Sequence, residues 1–357
     1  MRMLVNIVTG YLGSGKTSFI QHLVRELTPR ERVVVLVGEF GEVGIDGALL
    51  AQDTPDVLEL GSECIYCTLS ADLARQIPLV ARSLAPDRLI IEYPGTAAVQ
   101  GLLAAIRILG RPLTNYRINI THLIDARAFD DLYNQYPYFL CSQISRADVL
   151  VLNKCDLLPR EKVLDITGRL QAVNPGAPCL CASYGQVDQA ELQVVIEKSR
   201  LAAKKPFKGI GPQNAGDIPS YYSFSRKFHG LFSQKKLLRL TEDFSGPDMG
   251  QVARAKGIFY CKEGWVRLDY LPSGAVLSPV NGRFCESKVL VIGSDLAVGR
   301  ISAALLDCLH VDEPRSIGGA GKRSSSRFHG GDRRMVFGYR VCDDMPDVDW
   351  NATSKRV

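Results

Sequence analysis

Eight residues near the start of the chain, Gly10 to Thr17 (GYLGSGKT), have the types and spacing to hold a polyphosphate. They fit the pattern G-x-x-x-x-G-K-[ST]. Gly10, Gly13 and Gly15 let backbone N–H groups turn inward around phosphate oxygens, with Ser14 between them and Ser18 just after. Lys16 brings a point charge to the β/γ-phosphates, and Thr17 offers a hydroxyl to Mg²⁺. The helix that follows adds positive potential at its N-terminus. A tight strand-to-helix turn without ligand is the plain alternative.

Asn153-Lys154-Cys155-Asp156 forms a second signal, N-K-x-D, at the end of an apolar run. The Asp156 carboxylate can accept two hydrogen bonds from guanine N1 and N2, a pairing adenine lacks. Asn153 and Lys154 are expected to brace the phosphate loop and to stack along the base. A loop with a helix-capping Asp is the bland reading. The two signals together point to GTP and GDP rather than to adenine nucleotides.

Ile90 to Gly95 (IIEYPG) places Glu92 at the end of an expected strand, where it can hold Mg²⁺ directly or through water. A strand-end Glu facing solvent is the alternative. Lys16, Thr17 and Glu92 are therefore the expected catalytic set. Gly95 lets the backbone approach the γ-phosphate and report its loss.

Glu39 to Asp46 (EFGEVGID) supplies Glu39 and Glu42 on a glycine-rich loop, and Cys64-Ile65-Tyr66-Cys67 supplies two thiols at C-x-x-C spacing. Two thiolates and one carboxylate fill three positions of tetrahedral Zn²⁺ or Co²⁺ and leave one for exchange. Inert thiols and a redox pair share the spacing, but no thioredoxin-like pattern surrounds it.

The elements that must position these groups are legible as alternation. Strands are expected over Met3 to Val8, Val33 to Val37, Val57 to Leu60, Arg88 to Ile91, Asn119 to Ile124, Val149 to Leu152 and Pro178 to Cys181. Helices are expected over Ser18 to Glu26, Leu69 to Leu84, Ala97 to Leu109, Arg160 to Val173 and Gln189 to Ser199. Pro78 is expected to kink or split the second of these. This is an α/β pattern, a mostly parallel sheet covered on both faces. The expected organisation is a nucleotide domain over 1–200, a Gly/Pro/Lys-rich linker over 201–220, a smaller α+β domain over 221–310 and a flexible tail over 311–357.

In the second domain, strands are expected over Tyr221 to Phe228, Gly257 to Tyr260, Trp265 to Tyr270 and Lys288 to Ile292. Helices are expected over Gln234 to Phe244 and Leu296 to Leu309, with turns at Lys262 to Gly264 and Pro272 to Gly274. It holds no side-chain cluster that looks catalytic, and its expected use is partner recognition.

The chain has 357 residues, enough for two domains, and a net charge of +5, too mild to argue for nucleic acid. No apolar run is long enough to span a bilayer. The ten cysteines and the immediate entry into a strand suggest free thiols in a reducing cytoplasm, with no secretory signal and no membrane. The five histidines are widely spaced and read as structural.

These motifs resemble the CobW-like metallochaperone GTPases, relatives of UreG and HypB. VTGYLGSGKT, GEFGEVGIDGALL, ELGSECIYC, IIEYPG, ITHLIDARAF, QISRADVLVLNKCDLL and RAKGIFYCKEGWVRLDYLPSG carry the likeness, nearly to His310. It implies a P-loop GTPase domain followed by a CobW-type C-terminal domain. Slow GTP hydrolysis would be coupled to holding and delivering a transition metal to a client metalloprotein. The family's metal site is C-x-C-C beside GTP·Mg²⁺. Here the middle position is Tyr66, a phenol that stays protonated at neutral pH, and the outer Cys64 and Cys67 remain. Tyr93-Pro94 stands where small hydroxyl residues are usual, and the interdomain stretch has no His. The alternative is a GTP-driven remodelling or maturation factor for a corrinoid or other cofactor enzyme, without metal transfer. A P-loop kinase is a third reading, opposed by Asp156. No water-orienting residue is assignable. Glu42 and Asp46 are candidates, and a partner or a homodimer is the other source.

Overall fold

The computed structural model describes residues 3–40, 45, 50, 57–62, 68–95, 97, 99–109, 116–188, 190–193, 221–282 and 284–309. Residues Met1–His310 form one compact unit. The expected linker 201–220 and tail 311–357 lie outside the described residues.

The first sheet has seven parallel strands: β1 (Met3–Gly10), β2 (Val33–Phe40), β3 (Val57–Ser62), β4 (Arg88–Glu92), β5 (Tyr116–Asp125), β6 (Val149–Asn153) and β7 (Cys179–Cys181). Their order is β3-β2-β4-β1-β5-β6-β7. All eight residues of β1 are buried, as a central strand covered on both faces requires. On one face Val5, Ile7, Leu36 and Ile91 meet α2 (Thr68–Ser83) and α3 (Val99–Leu109). On the other, Leu4, Val8 and Val35 meet α1 (Lys16–Leu27), whose Phe19, Ile20, Leu23, Val24 and Leu27 recur at helical spacing. Helix α2 runs unbroken through Pro78, so the expected split does not occur. Of the expected helix Gln189 to Ser199, residues 190–193 are described and helical.

Two short helices escape the sequence reading: α4 (Phe129–Gln135) and α5 (Pro137–Ile144). Tyr136 and Pro137 cut the stretch before a helical period can build, and Pro137 opens α5 at its first turn. With α6 (Arg160–Val173) they cover β5 and β6 through Phe129, Leu140, Ile144, Ile166 and Leu170.

The second sheet is antiparallel: β8 (Tyr222–Phe228), β9 (Gln251–Cys261), β10 (Gly264–Leu271), β11 (Gly274–Pro279) and β12 (Ser287–Ser294), in the order β11-β10-β9-β12-β8. Two-residue turns at Lys262-Glu263 and Pro272-Ser273 fix its register. Strand β11 is an addition to the expected elements, and β9 begins six residues before the expected Gly257. Helices α7 (Gln234–Asp243) and α8 (Val298–Asp307) pack on one face through Leu237, Leu240, Ile301 and Leu305, against Ala255, Phe259, Leu268 and Val291. On the opposite face Ile258, Leu290 and Ile292 join the core of the first sheet. The two sheets therefore share buried apolar surface. Among the described residues no helix is long and apolar enough to cross a membrane.

Candidate functional site

Strands β4, β1, β5 and β6 lie side by side and parallel, so their C-terminal ends form one edge. Open α/β sheets bind ligands at such an edge. Strand β1 ends at Gly10 and α1 begins at Lys16, with the glycine loop between. The register sets Val8 beside Glu92 and Asp125 beside Asn153.

Gly10, Gly13 and Gly15 have φ of +147°, +77° and +97°, the range that side chains disfavour. Space forbids side chains as well. A Cβ on Gly15 would stand 2.3 Å from Asn153 Nδ2, and one on Gly10 would stand 2.5 Å from the Leu123 carbonyl oxygen. Gly95 closes the loop from the β4 side, where a Cβ would lie 2.9 Å from Gly10 O, 2.9 Å from Leu12 N and 3.0 Å from Lys16 Nζ.

Lys16 is buried and its Nζ donates to Gly10 O at 3.0 Å. Thr17 Oγ1 donates to Glu92 Oε1 at 3.1 Å, both residues buried. A hydroxyl and a carboxylate so paired are hard oxygen donors of the kind Mg²⁺ takes. Ser14 Oγ is buried and makes no hydrogen bond among the described residues, which a phosphate oxygen would remedy.

On the base side, Asn153 is buried and ties two loops together. Its Nδ2 donates to Ser14 O at 2.9 Å, and its Oδ1 accepts from Gly185 N at 3.0 Å. Lys154 takes the left-handed backbone, φ +65°, and its Nζ stands 2.5 Å from Asp125 Oδ2. Asp156 lies on a single 3₁₀ turn, exposed and facing the cavity.

That cavity has a volume of about 620 Å³. Gly13, Gly15, Lys16, Thr17, Ser18 and Glu92 line its floor, and Asn153, Lys154 and Asp156 one flank. The structure thus brings the expected phosphate, Mg²⁺ and base residues together around one space. Arg127, Leu157 and Tyr184 complete the first-sheet side, and the opposite wall is Arg254, Lys256, Arg267, Asp269 and Leu271 with Ser273 and part of β11, from the second sheet and its β10–β11 turn.

Sequence reasoning missed this wall. It also missed Asp125, the Gly185 amide and two buried links. Tyr93, buried by its ring, bonds Ser70 Oγ through its hydroxyl at 2.9 Å, which fastens the end of β4 to the first turn of α2. Burial raises the Tyr93 pKa despite that bond. His122 lies under the loop with Nδ1 2.8 Å from Thr9 Oγ1. Burial, then the Lys16 charge, pushes its pKa down to about 3, so it is neutral and structural. Asp125 had a signal in the quoted ITHLIDARAF stretch. The wall had only an alternation of charge, Arg254/Lys256 and Arg267/Asp269, that names no ligand.

The expected soft-metal residues fall differently. The backbone of Glu39 pairs with Gly61 in β3. Its side chain lies outside the described residues, as do Glu42, Asp46, Cys64, Tyr66 and Cys67. Among the described residues no three of His, Cys, Asp and Glu gather to hold a metal. Cys141, Cys155, Cys179, Cys181, Cys261, Cys285 and Cys308 are free thiols. Burial pushes Cys155 up to about 12 and Cys179 up to about 11, with Cys181 adding to both. Cys181 itself is exposed, unlike a packed hydrophobe.

Residues 4–181 match the model of the CobW/HypB/UreG nucleotide-binding domain. The first half of the chain carries a domain of this family. The chain is 27% identical over 312 residues to the zinc chaperone YeiR of Escherichia coli K12, which spans 82% of this chain and 93% of the relative. It is 24% identical over 298 residues to the zinc-regulated GTPase metalloprotein activator 1 of Dictyostelium discoideum, spanning 72% of this chain and 62% of that one. A solved structure, Zn(II)-bound YjiA GTPase from E. coli, aligns with 87% of this chain and 100% of its own at 18% identity and a TM-score of 0.41. This chain is a GTPase.

Proposed function

We propose that this GTPase carries zinc or cobalt as its cargo. It holds the ion at thiolates beside the nucleotide and passes it to a client metalloprotein. Residues 1–200 are the GTPase domain in this reading, 221–310 the CobW-type domain, 201–220 the linker and 311–357 the tail. Gly10, Gly13, Ser14, Gly15, Lys16, Thr17 and Ser18 take the phosphates. Asp156 reads guanine, and Asn153 and Lys154 support it. Thr17 and Glu92 hold Mg²⁺, which when bound neutralises phosphate charge. Lys16 and the loop amides stabilise the charge that builds as water attacks the γ-phosphorus and GDP leaves with inorganic phosphate.

The observation that carries the cargo reading is a strand register. Val37 of β2 pairs with Glu92 of β4, and Glu39 and Phe40 of β2 pair with Gly61 and Ser62 of β3. The segment that carries Glu42 therefore follows a strand adjacent to the expected Mg²⁺ carboxylate, and the segment that carries Cys64 and Cys67 follows the next strand out. Glu42 follows the end of β2, and Cys64 and Cys67 follow the end of β3. Tyr93 and Ser70 add a link from Glu92 to the helix that begins right after Cys67. Two relatives are named for zinc, one as a chaperone and one as a zinc-regulated GTPase activator. In the cycle, the Glu39–Asp46 segment would bring Glu42 to Cys64 and Cys67 in the GTP-bound state. Hydrolysis releases the loop and the ion. Because Tyr66 removes the middle thiolate, the competing reading is a GTP-driven remodelling factor for a corrinoid or other cofactor enzyme.

The test is Zn²⁺ and Co²⁺ affinity of full-length protein with a GTP analogue and Mg²⁺, for the parent and for Cys64→Ala/Cys67→Ala. A loss of at least tenfold in the double variant is expected. Unchanged affinity would remove the thiolate site. Nucleotide-dependent client capture without metal would favour remodelling.

A further inference from the structure

We propose that Tyr184 supplies the stacking face of the base site: its ring covers the flat of the guanine whose edge Asp156 reads. This rests on the GTPase reading of the cavity and assigns a base contact to a residue given no role so far.

The ring is carried on a tight turn. Gln186 N donates to Ser183 O at 2.9 Å, and the two residues form an isolated antiparallel bridge. The central residues, Tyr184 and Gly185, have φ of +55° and +75°. Two positive values in succession mark a type I′ turn, which glycine, asparagine and aspartate ordinarily fill. A bulky side chain at such a φ is an outlier that works against the fold. The turn itself therefore does not call for a tyrosine. Backbone strain of this kind gathers at ligand sites, where the surrounding structure enforces it.

The surroundings of Tyr184 do enforce it. Gly185 N donates to Asn153 Oδ1 at 3.0 Å. A Cβ on Gly185 would stand 2.6 Å from Phe19 N and 3.0 Å from Ser18 C, so the turn lies against the first turn of α1. Just before it, Ala182 N donates to Leu152 O at 2.8 Å, and Ala182 O accepts from Cys155 N at 3.1 Å. The chain is thus tied down on both sides of Tyr184. One set of ties is to the N-K-x-D segment, the other to the helix that follows the phosphate loop. A nucleotide with its phosphates on the glycine loop and its base at Asp156 spans the same two elements.

The side chain is not used by the protein's own packing. Tyr184 is 78% exposed, and it makes no hydrogen bond or ring contact among the described residues. It lines the cavity together with Asp156 and with Leu157, itself 50% exposed. An isolated exposed aromatic is ordinary on a protein surface. One fixed at a disfavoured φ on the wall of a ligand cavity has a cost that packing does not explain. Its ring offers a flat apolar surface of the kind on which a purine stacks with an offset. The two contacts then divide the work. Asp156 hydrogen-bonds the edge of the base and so selects guanine. Tyr184 meets the face, which contributes affinity whatever the edge.

The experiment titrates the full chain, with Mg²⁺, against GDP and separately against inorganic tripolyphosphate, which keeps phosphates and lacks a base. For Tyr184→Ala, GDP affinity is expected to fall about fivefold or more, with tripolyphosphate affinity within twofold of the parent. Tyr184→Phe keeps the ring and is expected to bind GDP within twofold of the parent. Tyr184→Gly removes the ring and suits the positive φ. It is expected to resist urea at least as well as the parent and to bind GDP as weakly as Tyr184→Ala. A smaller loss of GDP affinity in the two ringless variants, an equal loss for tripolyphosphate, or a Phe variant as weak as Ala would overturn the proposal. A parent protein that binds no GDP would fail the GTPase reading itself, a different result from ringless variants that bind GDP as the parent does.

Discussion

Asn153 connects the phosphate loop to the base loop by two buried hydrogen bonds, and its removal should weaken both folding and nucleotide binding. In Asn153→Ala, the Ser14 carbonyl loses its 2.9 Å donor and the Gly185 amide loses its 3.0 Å acceptor. Each buried group left unpaired costs about 1–3 kcal/mol, so the pair predicts a loss of roughly 2–6 kcal/mol. The space vacated by the amide adjoins the nucleotide cavity, and water entering from there would re-pair part of the loss. We therefore expect the lower half of that range. Asn153→Asp keeps the acceptor for Gly185 but turns a carboxylate oxygen toward the Ser14 carbonyl. It should be at least as damaging despite its matching shape. Urea unfolding followed by fluorescence gives the stability, and titration with a fluorescent GDP gives the affinity. If Asn153→Ala stays within about 0.5 kcal/mol of the parent and Asp is no worse than Ala, the brace has no energetic weight.

Gly95→Ala puts a Cβ within 2.9 Å of backbone atoms at Gly10 and Leu12 and within 3.0 Å of Lys16 Nζ. Overpacking of this kind costs about 1–3 kcal/mol, so urea unfolding should show the variant less stable by roughly that amount, and an unaltered stability would contradict the close approach. His122 is held neutral, with its pKa down at about 3. Below the ordinary value near 6.5 the unfolded chain takes a proton that the folded chain refuses. Stability is therefore full above that pH and is lost as pH falls from about 6.5 towards 3, by about 1.4 kcal/mol per unit. Between pH 7 and pH 5, urea unfolding of His122→Asn should show a drop about 2 kcal/mol smaller than the parent, and equal drops would mean that His122 is not the group responsible.

The sequence by itself determined the floor of the site. Glycines at fixed spacing followed by Lys16 and Thr17 have one use between a strand and a helix, and an N-K-x-D after a buried run is nearly as restrictive. Consecutive apolar positions named the parallel strands because burial on both faces leaves no room for alternation. Local pattern failed where two short helices were cut by Tyr136 and Pro137, and where β11 followed a turn with little apolar signal. Tertiary structure decided the rest. Asp125, Gly185 and Ser70 gain their meaning from partners far along the chain, through single contacts that composition does not record. The charged wall is the clearest case. Arg254, Lys256, Arg267 and Asp269 show a period of two in the sequence, which says only that they share a strand face. The burial of Ile258, Leu290 and Ile292 in the core of the first sheet is what turns that face toward the cavity.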